Sequence, residues 1–139
     1  MKFSDVQTFL DNGLAGLGYS PVPTIAPGPT TNVTLQKAAP GMLVLVMVGG
    51  GAGLNIEQTF DRPFITVRSI GLQHDYDSGE KLAQDIDKLF LTLCGNATVG
   101  TAKVLWVSRT GAGPELVEWD NASRYHFQCN YIANTQTGL

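Results

Sequence analysis

The sequence predicts an α+β domain: a mainly antiparallel sheet of about four strands with a long helix packed on one face, a short N-terminal helix and two long loops. Three observations carry this. Apolar residues recur at helical spacing in two stretches, Val6 to Leu17 and Leu82 to Leu93. The run Met42 to Val48 is apolar throughout and flanked by glycine, as a strand covered on both faces requires. Arg124 to Ala133 alternates with period two, the pattern of a half-buried strand. At 139 residues the chain has the size of one core, so residues 1–139 are read as a single domain, with a Pro-rich connection or arm at 21–40 and a Gly-rich protruding loop at 49–62.

The first helix begins at Ser4, with Gln7 three residues on as its capping partner. Val6, Phe9, Leu10, Leu14 and Leu17 share one stripe, and Gly16 and Gly18 mark its end. From Pro21 to Pro40 five prolines interrupt any regular element, apart from a short extended piece at Val33 to Leu35. After the Met42–Val48 strand, Gly49 to Gly53 opens a second long loop that carries Leu54, Ile56 and Phe60 among polar residues and runs to Pro63. Phe64 to Ile70 is rich in β-branched residues and reads as a strand closed by Gly71.

Asp75, Asp77 and Ser78 offer N-caps for the strongest helix, whose apolar stripe is Leu82, Ile86, Leu89, Phe90 and Leu93 and which runs to Gly95-Asn96. Its other face, with Glu80, Lys81, Asp85, Asp87 and Lys88, reads as solvated. Lys103 to Arg109 alternates as a strand, with Val104, Trp106 and Ser108 on one side. A turn at Gly111 to Pro114 leads to a short strand at Glu115 to Trp119, and Asp120-Asn121 turns the chain into the last strand.

Chemistry is sparse. Charged residues make up 15% of the chain, against about 25% in average soluble domains, so the surface is suited to packing against neighbours. The net charge of -3 is spread without a basic cluster, which argues against a phosphate-gripping site. Gly49 to Gly53 lacks the Gly-Lys-Ser/Thr ending of a phosphate loop. Cys94 and Cys129 fit neither a disulfide framework nor a zinc site and read as two buried thiols. His74 and His126 read as ordinary polar histidines, and the carboxylates Asp85 and Asp87 point apart on a helix. No serine sits in a nucleophile elbow. The aromatics Trp106, Trp119, Tyr125, Phe127 and Tyr131 read as core or subunit-interface packing. The expectation is therefore no enzyme, no cofactor and no metal. The N-terminus lacks the apolar core of a signal peptide, and the seven-residue run Met42–Val48 falls far short of the roughly 20 residues that cross a bilayer, so a cytoplasmic setting without membrane contact is expected.

The layout of these elements, together with Pro63-Phe64-Ile65-Thr66-Val67-Arg68, Tyr76-Asp77-Ser78-Gly79-Glu80-Lys81-Leu82-Ala83, Arg109-Thr110-Gly111 through Pro114, Asp120 and Arg124-Tyr125-His126-Phe127, resembles the tail terminator, or minor capsid, proteins of long-tailed bacteriophages. The resemblance spans most of the chain, although the 21–40 segment is longer and richer in proline than that family leads one to expect. It implies a structural virion protein assembled in the host cytoplasm. Its subunits would form a homohexameric ring that caps the tail tube, ends its polymerisation and joins the tail to the head connector, with DNA passing through the lumen without sequence-specific binding. Its partners would be copies of itself, the tail-tube protein and the connector proteins. Leu54, Ile56, Phe60, Asp61 and Arg62 are the protein-interface candidates, because apolar residues on a polar loop mark contact surfaces. The alternatives are another phage neck or tail-tube subunit, or a small ligand-binding α+β domain with its site at the Gly49–Gly53 loop and His74-Asp75.

Overall fold

The structure, a computed structural model, describes residues 1–28, 41–49, 60–119 and 123–136. Along them the order is α1 (Phe3–Gly16), β1 (Thr24–Pro27), β2 (Leu43–Val48), β3 (Phe60–Asp61), β4 (Phe64–Ile70), α2 (Tyr76–Leu91), β5 (Cys94–Val99), β6 (Ala102–Arg109), β7 (Glu115–Trp119) and β8 (Tyr125–Gln136). The strands form one sheet in the order β1-β2-β4-β8-β6-β5, with β3 and β7 also paired to β8.

The 12 residues of β8 are the spine of this sheet. On one side β4 runs antiparallel to it, with Ile70 opposite His126 and Phe64 opposite Ile132, and β3 continues that side at Thr135 and Gln136. On the other side lie β7 and then β6. These two behave as one strand with a loop thrown out of it, since Arg109 stands opposite Tyr131 and Glu115 opposite Gln128, leaving Thr110 to Pro114 against only two residues of β8.

Both helices cover the same face. Val6, Leu10 and Leu14 of α1 and Leu82, Ile86 and Phe90 of α2 pack on Val44, Val46, Ile65, Val67, Val104, Cys129, Tyr131 and Ala133. Burial of such side chains contributes about 1.5–3 kcal/mol each. The Phe90 ring lies between Phe9, at 5.5 Å, and Tyr131, at 4.6 Å, and so ties the two helices to the sheet. The opposite face holds a smaller buried cluster of Ala26, Leu43, Leu45 and Ile70.

The expected fold class is overturned in its sheet and in its helices. The sheet has eight strands rather than about four, and it is mixed, because β1 runs parallel to β2. The helices are nearly equal in length, 14 and 16 residues, rather than one short and one long. β1 was hidden in the Pro-rich segment: a strand at a sheet edge tolerates proline, and Pro27 closes it. β5 was read as a helix end at Gly95-Asn96, yet α2 stops at Leu91 and the chain re-enters the sheet at Cys94, with Gly95 at φ +66° breaking the regular ladder. α1 starts two residues earlier than its Ser4 cap predicted, with Lys2 at the N-cap position. Asp5 accepts the Lys2 amide at 2.9 Å, while the Gln7 amide reaches across to the Ile25 carbonyl at 3.1 Å. α2 is capped as expected: Asp75 accepts the Ser78 amide at 3.2 Å.

Candidate assembly surface

The pleat of β8 places Tyr125, Phe127, Cys129, Tyr131, Ala133 and Thr135 toward the helices and sends His126, Gln128, Asn130, Ile132 and Asn134 to the open face. Residues paired across the sheet share a face, so Phe64, opposite Ile132, and Met47, opposite Thr66, also lie on the open side. An irregularity between Val104 and Trp106 shifts β6 by one position: Val104 and Val107 enter the core while Trp106, opposite Asn134, joins the open face. The result is an uncovered apolar band. Trp106 is 51% exposed, Phe64 and Met47 are each 45% exposed, and Ile132 lies between the two aromatics, half-buried.

Beside this band the open face carries a polar clamp. The Arg68 guanidinium contacts Glu118 at 3.1 Å and Gln128 at 3.0 Å, and the fully buried His126 has its Nδ1 3.4 Å from Glu118 and 3.5 Å from Arg68. Side chains of β4, β8 and β7 are thereby tied across three strands. His126, read from the sequence as an ordinary polar histidine, is fully buried inside this clamp. His74 is exposed, in the turn before α2, with φ +58°.

On the helix face, Asp87 corrects the reading of a wholly solvated charged side of α2. It is buried and accepts the Tyr131 hydroxyl at 2.8 Å, with the Arg109 guanidinium at 3.4 Å and the Cys129 thiol at 4.0 Å. Burial, then Cys129 and Asp87, pushes the Tyr131 hydroxyl well above its usual range, and burial pushes the Cys129 thiol up. A thiol so placed stays protonated at neutral pH and makes a poor nucleophile. Cys94, expected to be buried, is exposed. Asp85 turns the other way and receives the Tyr19 hydroxyl at 2.6 Å and Lys81 at 2.7 Å. Burial and that carboxylate push Tyr19 up to about 12. These contacts fix α2 to the sheet and to the end of α1.

Of the interface candidates, Leu54 and Ile56 lie outside the described residues, as do Gly50 to Gly53 of the proposed ligand loop. The backbone of Phe60 and Asp61 forms β3 against Gln136 and Thr135, so the end of the expected 49–62 loop belongs to the sheet. Arg62 is exposed beside it. Phe64 and Met47 were not selected by sequence, and Trp106, read there as core or subunit-interface packing, was placed by strict alternation with Val104; the bulge puts it on the open face instead. Among the described residues no group of three or more His, Cys, Asp or Glu side chains could hold a metal ion, and no helix is long and apolar enough to cross a membrane. A cleft of about 600 Å³ is lined by Tyr19, Pro21, Val22, Pro23, Met42 and Leu72, with Tyr19 as its single titratable side chain among the lining residues.

No family model matches the chain, and no curated protein does. A solved structure is similar over 100% of this chain and 99% of its own, at 14% identity and a TM-score of 0.53. That likeness extends to the fold alone.

Proposed function

We propose that the protein is a structural subunit that assembles with copies of itself into a ring, in the manner of the tail terminators of long-tailed bacteriophages that its sequence resembles. The observation that carries this reading is the band formed by Trp106, Phe64, Met47 and Ile132. Large aromatics left half-exposed on the face of a sheet lose free energy in water, and covering them against another chain recovers about 25 cal/mol per Å² of apolar area. Trp and Phe at the centre of such a patch are the residue types that dominate interface energetics. In the ring, this face packs on a neighbouring chain. The loop end at Phe60 to Arg62 adjoins it in sequence through Phe64 and belongs to the same contact region. No catalytic step is assigned to the chain, and the buried Asp87–Tyr131 pair and the Arg68–Glu118–His126 clamp are positioned as internal ties.

The reading is tested by measuring mass in solution and imaging the particles by negative stain, with and without tail-tube protein. Rings of six that bind only at tube ends are expected. Replacing Phe64 and Trp106 together with Ser should leave the circular dichroism of the domain unchanged, since neither is in the core, and weaken ring formation by about 100-fold or more, the loss of two central aromatic contacts. A stable monomer that ignores tubes would overturn the proposal and return a ligand-binding domain as the alternative.

A further inference from the structure

The edges of the sheet are not alike. At β1 the outward backbone groups are those of Ile25 and Pro27, because the amides of Thr24 and Gly28 face β2. The Ile25 carbonyl is already bound by Gln7, and Pro27 has no amide proton, so this edge is blunted. β7 is different. It pairs with β8 on one side, no described strand pairs with its other side, and its five residues are all exposed and include neither proline nor lysine. A register irregularity between Leu116 and Glu118 sets the faces: Glu115 and Glu118 lie with Gln128 and His126, while Leu116 and Trp119 lie with Phe127 and Tyr125.

The surroundings of this edge have a definite chemistry. The Trp119 indole stacks on Tyr125 at 5.9 Å and 9°, and Tyr76 meets Tyr125 edge-on at 5.2 Å. Trp119 nevertheless remains 63% exposed. Asp77 and Glu80 stand near the Tyr76 hydroxyl. Nearby cations are already engaged, Arg68 with Glu118 and Arg109 with Asp87, whereas Glu115 makes no salt bridge among the described residues. Open aromatic faces with excess carboxylate attract ammonium and guanidinium groups.

We propose that β7 is a docking edge for an extended basic segment of a partner protein, which adds to the sheet as a strand and places lysine or arginine side chains against Trp119 and Glu115. Backbone pairing along β7 supplies the attachment and the aromatic and acidic side chains supply the selection. The edge is separate from the apolar band on the open face, and the inference holds whether or not the chain forms rings.

The test uses the full chain, isotope-labelled for amide NMR, and a short synthetic peptide with lysine at consecutive positions, because Glu115 and Trp119 lie on opposite faces of the sheet and successive residues of an added strand face opposite ways. Shifts confined to residues 115–119 and their β8 partners are expected. The Trp119→Ser variant, which alters an exposed side chain and should keep the fold, is expected to bind about tenfold more weakly. A peptide with glutamate in place of lysine, and one with alternate amides methylated, should both lose binding. Equal binding of the glutamate peptide, or shifts away from β7, would overturn the proposal. So would self-association of the chain through β7 that Trp119→Ser abolishes, because the occupant would then be a second copy.

Discussion

The Asp5 carboxylate accepts hydrogen bonds from the Lys2 amide at 2.9 Å and the Thr101 amide at 3.1 Å, and so joins the start of α1 to the β5–β6 turn. Burial works to raise its pKa, but these hydrogen bonds outweigh burial and hold the group below the usual carboxylate range. The sign of the linkage follows. Because the folded pKa is depressed, the contribution is fully present above the unfolded carboxylate pKa of about 3.9 and is lost as pH falls through the lower folded value. The Asp5→Asn variant should be less stable than the parent at neutral pH by about 1–3 kcal/mol, since an amide nitrogen turned toward either donor leaves it unsatisfied. Urea titrations at neutral pH and in the acid range should show the difference shrinking as pH falls; a constant difference would mean that the charge is immaterial.

At the scale of elements, the junction of β4 with α2 depends on two glycines. A Cβ on Gly71 would lie 2.6 Å from the Gly79 amide nitrogen and 2.7 Å from its Cα. Backbone cannot yield there as a flexible side chain could, so Gly71→Ala should cost about 1–3 kcal/mol by thermal or chemical denaturation. Gly16→Ala, with nothing within 4 Å of the added carbon at the end of α1, should be neutral or stabilising by up to about 1 kcal/mol. A similar loss in both variants would show that the close approach is not the cause. The sequence made α2, β2, β4 and β8 legible because each carries its own hydrophobic period. β1, β3 and β5 carry none: four, two and six residues long, they are defined by the strands they pair with rather than by a hydrophobic period of their own.

At the scale of the whole molecule, one sheet face is covered by both helices and the other offers an apolar band and a clamp of Arg68, Glu118 and His126. The composition made a packing surface legible, through few charges, but could not sort Trp106 and Trp119 from the buried Tyr131 and Phe127, because all four lie in strands and only the register assigns their faces. Charge adds a last consequence for the proposed ring. The chain has 9 Lys and Arg against 12 Asp and Glu. Arg68, Lys81 and Arg109 are held by Glu118, Asp85 and Asp87. Binding to duplex DNA grows with the number of phosphates neutralised, and its logarithm falls with the logarithm of salt in proportion to that number. With acidic residues in excess and the remaining cations spread along the sequence without a basic cluster, an assembled ring should let DNA pass without holding it. Retention of duplex DNA by the assembled protein should therefore stay at background even at low salt, with no measurable salt slope. Tight binding that weakens steeply as salt rises would show a cation-lined surface and would remove the inert lumen from the proposed function.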